Sequence, residues 1–421
     1  MRNKRRWVEL GKDVLIVLLT LSAAYLLSMT PLIQDSGVLD LFAPQESPGV
    51  GSPGGSWAAA VIPVRLAVTG EGGRWGLQYD EARMEEAFPP LGTLLGDALA
   101  SAGERQVMPE TGWRERLAGP GVYFDFEGEV PLAALERWLQ GEEKRGLAGS
   151  ARRLLLCAGE GDQVLLCWQE AGGGAFYSCS TALTQELHLN PAVEEVAFNR
   201  AYFAFENQAL TDRLDPYTLI TEEEHSGTGY DASMPLTGDA PVAAVLEALS
   251  FSGQNHAPVS AGEVYLDGAD RLVISDNGSV TFRAAQGDRY PVGATLTEGV
   301  DGTRALAEAA LGTRCGEARL YLISAQEEPE GICVRFGYLL GGSAVYLGSE
   351  GWAAEFWVQE GYITRFTLRF RSYAANGERT LLLPIDKAAA MLPDLTSRRR
   401  ELVVQYRDAG GASLVPGWVA V

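Results

Sequence analysis

The side chains in this 421-residue sequence best suited to metal binding or nucleophilic chemistry are three histidines and five cysteines. His188, His225 and His256 stand in neither HExxH nor HxH spacing, so a histidine-built metal site lacks its usual local frame. His225 closes the run Glu222-Glu223-Glu224-His225, which reads as a solvated acidic loop, and His188 and His256 fall in turn-like surface settings. Cys157, Cys167, Cys179 and Cys333 lie in or beside apolar, strand-like runs and form no CxxC pair. That pattern describes small buried thiols. A tight turn near Gly161 sets Cys157 and Cys167 diagonally rather than opposite on neighbouring strands, so no bridge between them is predicted.

Carboxylates are the remaining source of chemistry. Glu127 and Glu129 lie two apart after a strand, on what would be one face, and could act as a general acid and base. Among 55 acidic residues such a spacing is expected by chance. No GxSxG elbow, SxxK pair or GxxxxGK[ST] loop occurs, and the glycine turns at Gly172–Ala175 and Gly341–Ala344 lack a following lysine-bearing helix. They read as hairpin glycines. Asp276-Asn277-Gly278 lacks the alternating acidic positions of a calcium loop. Arg398-Arg399-Arg400 reads as a solvated charge cluster. The sequence therefore predicts no catalytic, cofactor-binding or metal-binding residue.

The elements that would carry a function begin with the amino terminus. Val14–Met29 is a run of sixteen uncharged, mostly apolar residues that extends to Ile33, long enough for the ~20 residues a bilayer requires. Arg2, Lys4, Arg5, Arg6 and Lys12 precede it against Glu9 and Asp13, which places the amino terminus in the cytoplasm and the body outside. Ser28-Met29-Thr30-Pro31 is a poor cleavage site, and no cysteine follows to accept a lipid, so an uncleaved anchor is expected. Thr20, Ala24 and Ser28 recur at i, i+4 and i+8 and form a small-residue face on which another membrane helix could pack.

The whole chain carries 34 basic and 55 acidic side chains, a net charge of −21. Without the first 33 residues the balance is 29 against 53, a net −24. Such a body is repelled by nucleic acid, which excludes that class of partner.

The pattern of elements predicts an α+β protein in which an N-terminal transmembrane helix precedes an extracytoplasmic body of two or three modules. Each module is mainly antiparallel sheet with packed helices. Residues 1–12 form the basic tail, 13–33 the anchor and 34–56 a Pro/Gly/Ser linker; 57–195, 196–285 and 286–421 form the modules. Helices are expected over 81–103, broken or kinked at Pro89-Pro90, and over 131–140, 242–249, 303–311 and 385–392. Strands are expected at 61–68, 122–126, 154–157, 164–168, 175–178, 198–205, 271–275, 279–283, 320–324, 332–340, 344–347, 355–358, 362–373, 378–383, 401–407 and 413–419. Asn277-Gly278, Glu360-Gly361 and Asn376-Gly377 are the reversal signals. The order helix, strand, strand, strand recurs over 131–178 and 303–347, an echo compatible with duplication or with ordinary α+β construction.

With anchor, tether and carboxy-terminal pattern in place, the chain resembles the YycH/YycI regulatory proteins of Gram-positive bacteria, YycH more than YycI. The phrases that carry the resemblance are Leu272-Val273-Ile274, Asp276-Asn277-Gly278 and Val280-Thr281-Phe282, then Thr303–Leu311, Leu381-Leu382-Leu383-Pro384 with Ala388–Leu392, and Glu401–Arg407 with Leu414–Val419. Residues 196–421 match better than the first half. The resemblance implies a non-catalytic modulator of a WalK/YycG-like sensor histidine kinase controlling cell-wall metabolism, acting beside a YycI-like protein. The long tether and strong acidity depart from the family pattern and leave the partner's identity open. Alternatives from other classes are an envelope module that binds wall peptide or polymer, and a secreted hydrolase using carboxylates.

Overall fold

The computed structural model describes residues 61–172, 174–194, 196–222, 226–391 and 400–421. They belong to the compact unit Val50–Val421. The anchor expected over 13–33, with Thr20, Ala24 and Ser28, lies outside the described residues. Among the described residues no helix is long and apolar enough to cross a membrane.

The first half builds on β1 (Arg65–Gly70), β2 (Gly73–Gln78), β3 (Gln106–Met108), β4 (Gly121–Pro131), β5 (Ser150–Ala158), β6 (Gln163–Glu170) and β7 (Phe176–Thr184). They form one antiparallel sheet in the spatial order β3-β7-β6-β5-β4-β1-β2. Its helices are α1 (Glu81–Ala100), α2 (Glu110–Ala118) and α3 (Leu132–Gln140). Alternation along each strand divides the sheet into two apolar faces. Leu66, Val68, Phe124, Leu154, Leu156 and Trp168 pack with α1 and α3 on one side. Ala67, Tyr123, Leu155, Cys157 and Cys167 meet Trp113 and Leu117 of α2 on the other.

Pro89-Pro90 does not break α1, which runs through them. Both prolines are solvent-exposed, so the carbonyls they leave unpaired face water, while Met84, Phe88, Leu91, Leu95 and Leu99 hold the buried stripe. Asp80 caps the helix by accepting from the Arg83 N–H at 3.1 Å.

A short segment follows with α4 (Asn190–Glu194), β8 (Tyr202–Phe203), α5 (Gln208–Thr211), β9 (Leu219–Ile220) and β10 (Ser226–Ser233). The aromatic run expected as a strand over 198–205 contributes only Tyr202–Phe203 to a pairing, because its phenylalanines are used for packing: Phe203 is fully buried against Tyr123.

The second half contains α6 (Asp239–Ala248), β11 (His256–Val259), β12 (Gly262–Asp267), β13 (Asp270–Ser275), β14 (Ser279–Arg283), α7 (Leu296–Ala307), β15 (Arg319–Glu328), β16 (Gly331–Leu340), β17 (Ser343–Leu347), β18 (Ala354–Gln359), β19 (Tyr362–Arg369), β20 (Ser372–Leu381), α8 (Ile385–Ala390), β21 (Leu402–Asp408), β22 (Ser413–Leu414) and β23 (Pro416–Ala420). Strands run in the order β11-β12-β13-β14-β19-β18-β16-β15. Pairing of β14 with β19 makes the strands on either side of residue 285 parts of one sheet. β17 continues from the end of β16 and pairs in parallel with β21, which pairs with β23. The architecture is mixed α+β and dominated by sheet.

Asp276-Asn277-Gly278 and Glu360-Gly361 reverse the chain as expected; Glu360 and Gly361 have φ of 51° and 83° and join Gln359 to Tyr362. Asn376-Gly377 does not. β20 passes straight through it, and Asn376, Gly377 and Glu378 bulge out opposite Gly229 of β10. The neighbouring β10 offers a ladder on both sides of the bulge, and that outweighs the local turn signal. The run expected as one strand over 362–373 divides at Phe370-Arg371 into β19 and β20, which belong to different sheets.

The two large sheets meet where Glu129 of β4 pairs in parallel with Ser324 of β15. The approach requires glycine: a Cβ on Gly128 would stand 1.8 Å from the Leu322 carbonyl oxygen.

Candidate functional site

Charged residues inside apolar strands locate the most unusual place in the molecule. Arg65 opens β1, Asp125 lies within the aromatic run of β4, Arg152 and Arg153 sit in β5, and Glu401 precedes β21. Consecutive residues on a strand normally point to opposite faces. Here Arg152 and Arg153 reach one cluster because the pairing of β5 with β6 slips between Ala151 and Leu154. The pairing of β4 with β5 slips between Asp125 and Val130, and Glu127 takes φ 64° and turns inward.

The resulting network is held by many short contacts, although among the described residues Arg153 Nε makes no hydrogen bond and stands 3.8 Å from Asp125 Oδ2. Arg152 grips Asp125 through Nε–Oδ1 at 2.8 Å and Nη2–Oδ2 at 3.0 Å, and donates from Nη2 to Glu401 Oε1 at 2.8 Å. Arg65 Nη1 donates to Asp125 Oδ2 and to Glu127 Oε2, both at 2.9 Å. Arg153 Nη2 lies 3.1 Å from Glu401 Oε2, and its Nη1 donates to Asp215 Oδ1 at 3.0 Å. Tyr79 supports the cluster from the side: its ring lies against the Arg65 guanidinium, its hydroxyl accepts from the Val404 N–H at 3.2 Å, and Trp418 meets it edge-on. Strands β1, β4 and β5 are thereby fastened to β21 and β23.

Burial alone would raise the Asp125 carboxyl, but Arg152 and Arg65 hold it well below the usual carboxylate range. Burial likewise opposes ionisation of Glu401, and Arg152, Arg153 and Arg65 lower it. Arg65 and Arg152 stay above the ordinary arginine range despite burial, Arg65 through Tyr79 and the carboxylates and Arg152 chiefly through Asp125 and Glu401. Every carboxylate in the cluster is held by guanidinium, so the arrangement serves as an ionic joint and not as an acid–base pair.

Glu127 and Glu129 do not converge. Glu127 belongs to the joint, whereas Glu129 accepts from the Gly172 N–H at 2.9 Å and from Gln326 Nε2 at 3.3 Å, beside the contact between the sheets. His188 Nδ1 accepts from the Thr184 N–H, and His256 is exposed and stacks on Tyr265. Residues 223–225 and 392–399 lie outside the described residues, and among the described residues no group of three potential metal ligands comes together. Gly341 and Gly342 form the turn between β16 and β17. All five cysteines are buried and free. Cys157 and Cys167 do stand diagonally, paired with Leu165 and Leu155 respectively.

Among the described residues the surface concavities include a cleft, a recess and a groove. A cleft of about 450 Å³ lies between α2 and the β3–β7 edge and includes Cys157. A polar recess of about 170 Å³ is lined by Tyr79, Asp80, Thr228 and Tyr406. An apolar groove of about 590 Å³ runs between α1 and Leu187, Pro191, Ala192 and Val196.

The sequence reading missed Arg65, Asp125, Arg152, Arg153 and Glu401. The signal available was a charge within or at the start of each apolar run, since such residues are almost never buried unless paired.

No protein-family model matches the chain, and no curated protein matches it. Among solved structures it is similar to YycH from Bacillus subtilis, with a TM-score of 0.55 and 10% sequence identity, covering 86% of this chain and 94% of that one. At that identity the likeness is one of fold: the chain folds as YycH does.

Proposed function

We propose that this protein is a membrane-anchored, extracytoplasmic and non-catalytic regulator that modulates a sensor histidine kinase of a cell-wall-controlling two-component system by protein–protein association. A YycI-like protein would be a companion in the same assembly. The observation that carries the reading is the likeness of fold to YycH over most of the chain. It is supported by the basic tail and apolar run at residues 2–33, which orient the body outward. The main ionic cluster agrees with it, because each of its carboxylates is paired with a guanidinium group.

The test is recovery of partners from membranes with the full-length protein beside a form lacking residues 1–33. Recovery of a sensor kinase with the full-length form alone supports regulation through the membrane helix. Recovery of wall peptide or polymer by both forms, with no kinase, would replace the reading with an envelope-binding module.

A further inference from the structure

Cys157 and Cys167 are the two cysteines whose sulfurs approach each other, at 3.8 Å, on adjacent strands β5 and β6. They share the face of the sheet covered by α2. Cys157 also forms part of the wall of the 450 Å³ cleft beside Met108, Pro109, Glu115 and Ala158. Arg116 reaches over from α2, its Nη1 donating to the Ala158 carbonyl at 3.1 Å and lying 4.0 Å from Cys157 Sγ. Cationic surroundings and a neighbouring thiol donor favour a thiolate, which is the nucleophilic form. The hydrogen bond from Cys167, with Arg116 adding to it, lowers the Cys157 thiol against the effect of burial. Cys167 is correspondingly raised by that hydrogen bond and by burial. Burial pushes Cys179, Cys315 and Cys333 up to about 11.

We propose that Cys157 and Cys167 form a redox-active dithiol reached through the cleft beside α2, with Cys157 the attacking and Cys167 the resolving thiol toward small-molecule disulfides. Cys157 thiolate attacks one sulfur of the incoming disulfide; that S–S bond breaks, and the first small thiolate leaves and takes a proton from water. Cys167 then gives its proton to solvent and attacks Cys157 Sγ, expelling the second small thiolate. Two protein thiols become one disulfide while the small disulfide becomes two thiols, so electrons balance without a further oxidant. Closing 3.8 Å to the ~2.05 Å of an S–S bond asks for side-chain rotation and a small strand adjustment. A bridge there would pin β5 to β6 beneath α2.

The experiment treats the folded full-length protein with oxidised glutathione and reads intact mass and peptide maps. Wild type should lose two hydrogens, retain no glutathione and yield a Cys157–Cys167 linked peptide. Cys167→Ala should hold one glutathione on Cys157, acquired roughly tenfold faster than any adduct on Cys179, Cys315 or Cys333. Cys157→Ala should do neither. The proposal is overturned if wild type forms no 157–167 linkage, or if the Cys167→Ala adduct is spread over the other cysteines. Equal modification of Cys167 in Cys157→Ala would overturn the assigned order. Because the wild-type linkage is read without any substitution, a variant that misfolds does not decide the outcome.

Discussion

Arg152 and Asp125 meet through two parallel hydrogen bonds, of 2.8 and 3.0 Å, with the carboxylate almost wholly removed from solvent. Removing one partner of such a buried pair leaves uncompensated charge. Asp125→Ala, which leaves Arg65 and Arg152 facing only Glu127 and Glu401, should destabilise the fold by about 3–5 kcal/mol. Chemical denaturation of the variant beside wild type measures it; a change below about 1 kcal/mol would show that water replaces the carboxylate at little cost.

The same joint sets the acid response. The folded-state carboxyls of Asp125 and Glu401 lie below their unfolded values of about 3.9 and 4.3. Between folded and unfolded values the unfolded chain binds more protons, so their stabilisation is present above about pH 4 and is lost as pH falls further. Asp301 and Glu308, raised by burial, act in the opposite sense and lose their contribution as pH rises through their folded values. The denaturation midpoint should therefore drop steeply below about pH 4, and Asp125→Asn should flatten that drop.

Gly128 permits the contact between β4 and β15. Gly128→Ala would set a methyl carbon 1.8 Å from the Leu322 oxygen and must push the strands apart. A loss of about 2–4 kcal/mol is expected, with faster hydrogen exchange at Leu322–Ser324 than at the distant β12–β13 hairpin. Unchanged exchange at that point would mean the strands part without consequence.

Trp138 Nε1 donates to Asp301 Oδ1 at 2.7 Å and links α3 to α7, while Arg137 Nε forms an ion pair 3.1 Å from the other carboxylate oxygen, which accepts no hydrogen bond among the described residues. Trp138→Phe keeps most of the packing and removes the donor. It should cost about 1.5–3 kcal/mol, and in Asp301→Asn the same change should cost less.

For the proposed function, leucine at both Ala24 and Ser28 removes the small surface on which a second membrane helix would seat. Kinase recovered with the full-length protein should fall severalfold, with unchanged membrane insertion. Undiminished recovery would move the association to the ectodomain.

What the sequence by itself determined was local. The turns at Glu360-Gly361 and Asn277-Gly278 form because Glu360, Gly361 and Gly278 take positive φ, and 132–140 is helical because Leu132, Leu135 and Trp138 recur on one face. The diagonal placement of Cys157 and Cys167 follows from counting residues around Gly161. Tertiary structure decided whatever depends on a distant neighbour. Asn376-Gly377 became a bulge because β10 lies beside it, and Pro89-Pro90 stayed helical because that face meets water. Arg65 and Glu401 stand near opposite ends of the described chain, 3.7 Å apart in the fold. A charge is worth burying only when its partners arrive together, and no local pattern in β1 or β21 specifies that meeting.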